Sequence, residues 1–341
     1  MAALLDIEGL HVDIETEDAT LQPVRGIDLS VERGQTVAIV GESGCGKSLT
    51  ALAIMGLLPR RAHVSAQRIE FAGKSLTGLS AREWGEIRGN RITIIFQNPM
   101  TALDPCYTVG SQMVEILRQH RRITGHDART YALRLLEQVR IPSPLERFDQ
   151  YPHQLSGGLR QRVMIAMSLL CKPDLIIADE PTTALDVTIQ AQILRLLSDI
   201  QQATGVGLII ITHDIGVVAG IADKLAVMYS GQIVEYGSTQ HILAKPLHPY
   251  TEGLLRSIPV PGRVARRTPL GFIPGIVPRP IGVLTECAFA ARCPYVTNEC
   301  RRGPVDLRRV REDHSMRCIL PGDGTARDPD IWTRSLVATT P

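Results

Sequence analysis

The sequence predicts an α/β protein built on a largely parallel sheet, and three observations carry the prediction. Short apolar runs of strand type alternate with stretches of helical periodicity, the pattern of parallel strands joined by covering helices. One junction, VAIVGESGCGKSLTALAIMGLL (37–58), runs strand, glycine-rich loop, helix. The 341 residues, 44% apolar and 21% charged, suffice for roughly two or three domains with substantial cores.

Each element follows from local pattern. The helix that opens at Ser48 stops at Pro59, which cannot continue it. RITIIFQ (91–97) is a short apolar strand ending on Gln97. In DARTYALRLLEQVR, Ala132, Leu135, Leu136 and Val139 fall on one helical face, and Asp127 is placed to cap. The helix after LSGG (155–158) repeats that spacing in Val163, Ala166, Met167 and Leu170. DLIIADE (174–180) and GLIIITHD (207–214) read as buried strands, separated by an amphipathic helix through Ile189, Ile193, Leu196, Leu197 and Ile200 that ends near Gly205. KLAVMYSGQIVEYG (224–237) reads as two strands around a Ser-Gly turn.

A helical insert, about 98–165, interrupts the alternation. Six prolines (Pro259, Pro261, Pro269, Pro274, Pro278, Pro280) make 258–281 an extended connector, because proline fixes φ and removes donors. The expected division is a core of 1–97 and 166–240, a helical subdomain of 98–165, and an extension of 241–341.

Composition excludes several classes. No apolar run approaches the ~18 residues of a membrane span, and the N-terminus lacks the basic and apolar regions of a secretory signal, so the chain is placed in the cytoplasm. A net charge of +2 gives no bulk bias toward nucleic acid. Residues 260–320 hold eleven Arg, no Lys and five acids, which reads as a solvated face or a partner surface. Four of the seven cysteines, Cys287, Cys293, Cys300 and Cys318, cluster in the tail. In a cytosolic protein that suggests metal before disulfide.

GESGCGKS (41–48) matches the phosphate-loop pattern and has the required strand before it and helix after it. Gly41, Gly44 and Gly46 let backbone N–H groups turn toward phosphates, and Ser43 and Cys45 belong to the same binding loop. Lys47 neutralises β and γ oxygens, and the Ser48 hydroxyl can ligate Mg²⁺. Cys45, so close to phosphate, is also a candidate for nucleotide-protected alkylation. Asp179 at a strand end can hold Mg²⁺, while Glu180 can orient or deprotonate an attacking water. Gln97 and His213 end strands where side chains reach a γ-phosphate.

GESGCGKS, the Gln of IIFQN, LSGGLRQR, LIIADE, TALD (183–186) and the His of ITHD resemble, in order, the motifs of ABC-type ATPases over about 1–240. The resemblance implies a P-loop NTPase (RecA-like) core with an antiparallel β subdomain. It also explains why the chain has a second glycine-rich helix start. In that family the LSGG of one subunit caps the γ-phosphate held by another's phosphate loop. Ser156 can serve as N-cap, with Gly157 and Gly158 exposing N–H groups at a positive helix end. With one copy of each motif, two chains must meet head to tail. The resemblance makes Glu180 the catalytic base, His213 the γ-phosphate sensor, Gln97 a ligand of Mg²⁺ and water, and Asp186 an interface residue. The family stacks adenine on an upstream aromatic. This sequence has none before Phe71, and Leu21 takes that position.

The tail is similar to that of ATPases from the oligopeptide/dipeptide importer group, through HPYTEGLLRSIP (248–259), FIPGIVPRPIG and CAFAARCPYVTNEC. NPMTALDP (98–105) also fits that group. The resemblance implies ATP and Mg²⁺ as ligands, a second ATPase subunit, identical or homologous, and two transmembrane permeases. It also implies an extracytoplasmic solute-binding protein, peptide cargo, a place on the cytoplasmic face of the cell membrane and no nucleic acid. Nickel, glycan or opine importers share these ATPase features. The four tail cysteines can close a zinc site, hold a 4Fe-4S cluster or remain free thiols. The spacing lacks the C-x2-C pair of zinc ribbons, and tails of this group resemble cluster sites, which favours iron–sulfur. His314 reads as a surface residue.

Two further readings compete. A soluble ABC ATPase acting on nucleic acid would use the Arg-rich tail, but the chain has no second cassette or long coiled coil. A non-hydrolysing redox sensor would have no use for Glu180 and His213.

Overall fold

The computed structural model describes residues 3–121, 123–183, 185–258, 271–323, 328 and 331–334. The chain divides into two compact units, residues 1–6, 30–36 and 69–211 in one and 7–29, 37–68 and 212–341 in the other.

The first unit holds parallel strands. Ile92–Ile95 pairs with Leu175–Asp179, which pairs in turn with Gly207–Thr212. Every residue of the last two is buried, as strands covered on both faces must be. Between the first two strands lie the helices Val109–Arg121, Gly125–Gln138, Pro144–Phe148 and Gly157–Leu169. Their packing is close at Gly110, where a Cβ would lie 2.0 Å from the Phe148 ring. One detail of the sequence reading is corrected here. Thr124, not Asp127, caps Gly125–Gln138, since Thr124 is the extended residue and its hydroxyl accepts the Asp127 N–H at 3.3 Å. Asp127 sits inside the first turn, where its carboxylate accepts the Thr124 hydroxyl at 2.6 Å and still faces the positive helix end.

The second unit combines an antiparallel layer with the phosphate-loop strand and the tail. Ala62–Ser65 pairs antiparallel with Leu5–Glu15. Thr36–Val40 pairs parallel with Lys224–Tyr229, which turns through Ser230 and Gly231, both at positive φ, into antiparallel Gln232–Ser238. His314–Met316 joins Gln232–Ser238, and Arg308–Arg311 joins His314–Met316. The tail, expected to be small and irregular, thus adds a hairpin to this sheet.

That pairing buries His314, against the surface position read from sequence. Its Nε2 lies 2.7 Å from Glu235 Oε1, with both side chains no more than 1% exposed. The Glu235 carboxylate also accepts the N–H groups of Leu247 (2.6 Å) and His248 (2.9 Å). A polar pair can be interior here because the carboxylate is met from three sides.

Pro259, Pro261 and Pro269 of the connector, and Ala184 of TALD, lie outside the described residues. Residues 271–280 form no helix or strand, and residues 280–282 meet the strand Thr20–Val31. There Gln22 donates its N–H to Pro280 O at 2.6 Å, and Leu21 bridges Ile281. Among the described residues, no helix is long and apolar enough to cross a membrane.

Candidate nucleotide site

The phosphate loop leaves a fully buried strand, Thr36–Val40, and enters the helix Lys47–Ile54. Two glycines are required by close approach. A Cβ on Gly41 would lie 2.2 Å from Met228 O, and one on Gly46, at φ 105, would lie 2.1 Å from Pro23 O. No side-chain hydrogen bond caps this helix, whose positive N-terminal end suits an anion. Lys47 Nζ donates to the carbonyls of Gly41 (2.9 Å) and Glu42 (3.0 Å), tying the loop to itself. Ser43 and Gly44 are exposed and Ser48 is half-buried. Leu21 is half-buried beside Ile281, itself 54% exposed.

Cys45 is corrected as an alkylation candidate. It is buried, and that burial pushes its thiol up, outweighing the nearby Lys47 charge that would lower it. A protonated, enclosed thiol is a poor nucleophile.

Two residues that sequence reasoning missed support this loop. Tyr250 Oη accepts the Glu42 N–H at 2.9 Å. Arg292, between two tail cysteines, grips the Glu42 carboxylate with Nη1–Oε2 at 2.7 Å and Nη2–Oε1 at 2.9 Å. Burial raises the Tyr250 phenol far above its ordinary range. Burial opposes the Arg292 charge, but its bonds to Glu42 and Tyr229 prevail and raise its pKa. The signal lay in HPYTEGLL and CAFAARC, which resemble a family tail without saying what it touches.

In the first unit, Asp179 and Glu180 close the strand Leu175–Asp179 and are buried. The Glu180 carboxylate Oε2 accepts from Gln97 Nε2 at 2.7 Å and from the Thr183 hydroxyl at 2.8 Å. Glu180 has φ 46, a left-handed conformation that strains a non-glycine residue, and its N–H donates to Ile211 O at 2.9 Å. The strand Gly207–Thr212 ends at His213, which is exposed.

Ser156 is the N-cap expected of it, with extended φ and ψ and a side chain that accepts the Leu159 N–H at 3.4 Å. A Cβ on Gly158 would press on Ile189 Cγ2 at 3.0 Å, and one on Gly157 would touch Leu185. Asp186 caps the helix Val187–Thr204 by accepting the Ile189 N–H at 3.0 Å. The structure therefore brings the LSGG turn and the segment around Asp186 together.

Cys287, Cys293, Cys300 and Cys318 line one cavity with His248 and Phe289. All four are free thiols. Burial, reinforced by the neighbouring cysteines, pushes Cys293 up to about 12. Among the described residues, no three His, Cys, Asp or Glu side chains are gathered closely enough to hold a metal ion.

A glycine phosphate cradle, adjacent carboxylates at a strand end and a serine-capped glycine helix start are the parts of an ABC-type ATPase, and comparison with known proteins assigns the chain to that class. The ABC transporter family model matches residues 24–183, and the model for the oligopeptide/dipeptide transporter C-terminal region matches 234–300. The dipeptide transport ATP-binding protein DppD of Bacillus subtilis is 50% identical, covering 94% of this chain and 95% of that protein. Its Escherichia coli counterpart is 46% identical, covering 95% and 99%. Among solved structures, the dimeric bacterial ABC transporter cassette MJ0796 superposes with a TM-score of 0.62 at 26% identity, covering 69% of this chain and 98% of that one. The chain belongs to the ABC transporter ATP-binding family, in the branch that carries the oligopeptide/dipeptide transporter C-terminal region.

Proposed function

We propose that the chain is the ATP-hydrolysing subunit that energises import of di- and oligopeptides through partner permeases. The observation that carries this reading is the joint presence of the ATPase motifs and the importer-type tail in relatives of near-equal length that transport dipeptides. Two ATPase subunits enclose two nucleotides head to tail, each phosphate loop covered by Ser156, Gly157 and Gly158 of the other chain, with Asp186 at the junction. Glu180, held by Gln97 and Thr183, takes a proton from the attacking water as its oxygen bonds the γ-phosphorus and ADP leaves. His213 reads the γ-phosphate. By the resemblance, Ser48, Asp179 and Gln97 would hold Mg²⁺, which would supply charge neutralisation at the phosphates. Leu21 gives adenine an apolar contact.

The subunit sits peripherally at the cytoplasmic face of the cell membrane, with two permeases and an extracytoplasmic solute-binding protein completing the importer. Support for docking comes from an open groove in the helical insert, lined by Tyr107, Ser111, Glu115, Arg118, Arg129 and Asp149. The tail cysteines favour a 4Fe-4S cluster over zinc. Support for this reading is that the four thiols line one cavity and that the tail resembles cluster-bearing tails.

The test is ATP turnover and peptide uptake in the importer reconstituted with this chain. Wild type should couple the two, Lys47→Ala should lose nucleotide binding, and anaerobically purified protein should carry a visible absorbance that Cys293→Ser removes. Turnover without any peptide-stimulated component would overturn the cargo. A colourless protein containing zinc would overturn the cluster.

A further inference from the structure

A glutamate in an anion-binding loop is an electrostatic oddity. Glu42 lies between Gly41 and Ser43 of the phosphate loop, so it brings a negative charge into a loop read as binding a triphosphate with several negative charges. An unpaired carboxylate there would repel the nucleotide. Arg292 meets it with a two-pronged ion pair, and the Arg292 side chain is only 4% exposed.

The guanidinium is fully committed. Nε donates to Pro274 O at 2.8 Å, Nη2 also donates to Ile273 O at 3.3 Å, and Nη1 also donates to Tyr229 Oη at 3.4 Å. With the two Glu42 oxygens, that gives five acceptors for five N–H donors. A lysine could match the charge but not the fork. The group is also held from behind. Arg292 ends the single turn Ala290–Arg292, which is flanked by Cys287 and Cys293, and Cys287 N–H donates to Cys300 O at 2.8 Å. The ring of Phe289 packs on Tyr229 and Tyr250, and Tyr250 Oη accepts the Glu42 N–H. The cysteine tail therefore reaches the phosphate loop through one charged side chain and one hydroxyl.

We propose that Arg292 is a positioning residue of the ATP site, neutralising Glu42 and holding its carboxylate away from the phosphates, so that the tail sets nucleotide affinity. This rests on the reading of the phosphate loop as the ATP site. It differs from a purely structural staple in one respect: removing the Glu42 charge should relieve the loss of Arg292.

The experiment measures MgATP affinity by equilibrium binding, and KM and kcat of hydrolysis, on the full-length chain. Arg292→Gln should weaken ATP binding and raise KM on the order of tenfold, the scale of one partly screened charge interaction, with kcat little changed. Arg292→Lys should fall between. Glu42→Gln alone is measured as the reference, and the Arg292→Gln/Glu42→Gln double variant should bind ATP about as that reference does, regaining most of the affinity lost in Arg292→Gln. Unchanged affinity in Arg292→Gln would overturn the proposal, and so would a loss that Glu42→Gln does not relieve. Lys47→Ala is the control that separates the two claims. If it still binds ATP, the phosphate-loop reading itself fails. If it does not bind and Arg292→Gln is normal, only the role of Arg292 fails.

Discussion

Glu180, the proposed general base, is held by its backbone as well as by its side chain. At φ 46 it occupies a conformation that a free chain avoids, and hydrogen bonds from Gln97 and Thr183 fix its carboxylate. Glu180→Gln should keep ATP binding and lower turnover by about 10²- to 10⁴-fold, the range of general base catalysis, in a single-turnover assay. Normal turnover would remove Glu180 from the mechanism. Cys45 behaves in the opposite way to what its position in the motif suggests. Its raised thiol is protonated near pH 7, and the reactive thiolate fraction rises only as pH climbs toward that raised pKa. Iodoacetamide at pH 7 should therefore label exposed Cys106 and leave Cys45 unmodified, with or without ATP, as peptide mass mapping would register. ATP-sensitive labelling of Cys45 would contradict its burial.

At the scale of elements, legibility followed the range of the interactions. The strands Leu175–Asp179 and Gly207–Thr212 and the helix Val187–Thr204 were readable because their apolar spacing is local and Gly205 ends the helix at φ 68. Ser156 was readable as a cap because a cap needs only its own turn. Thr124 was overlooked because Asp127 also suits a first turn, and only backbone geometry separates cap from interior. The tail hairpin was missed because its partner, Gln232–Ser238, lies some 80 residues earlier, and burial of His314 depends on Glu235 there. Arg292 was illegible for the same reason, since its partner Glu42 is 250 positions away. The Glu235–His314 pair makes the tail's docking testable. Glu235→Ala leaves three buried donors unmet and should destabilise the protein by roughly 3–5 kcal/mol, seen as a lower melting temperature of the full-length chain. An unchanged melting temperature would mean that the hairpin is held by other contacts.

For the whole molecule, the LSGG helix start is the feature on which the proposed head-to-tail pairing depends. Its serine is a cap, its glycines leave N–H groups open at a positive helix end, and a Cβ at Gly158 would be pressed against Ile189. That arrangement makes sense as a lid on a neighbour's triphosphate. ATP turnover per chain, followed as the protein is diluted and compared with Gly158→Asp, tests this most directly. Specific activity should fall toward zero as pairs dissociate, and Gly158→Asp should bind ATP yet fail to hydrolyse it at any concentration. Constant specific activity under dilution, or normal turnover by Gly158→Asp, would show that a single chain completes its own site.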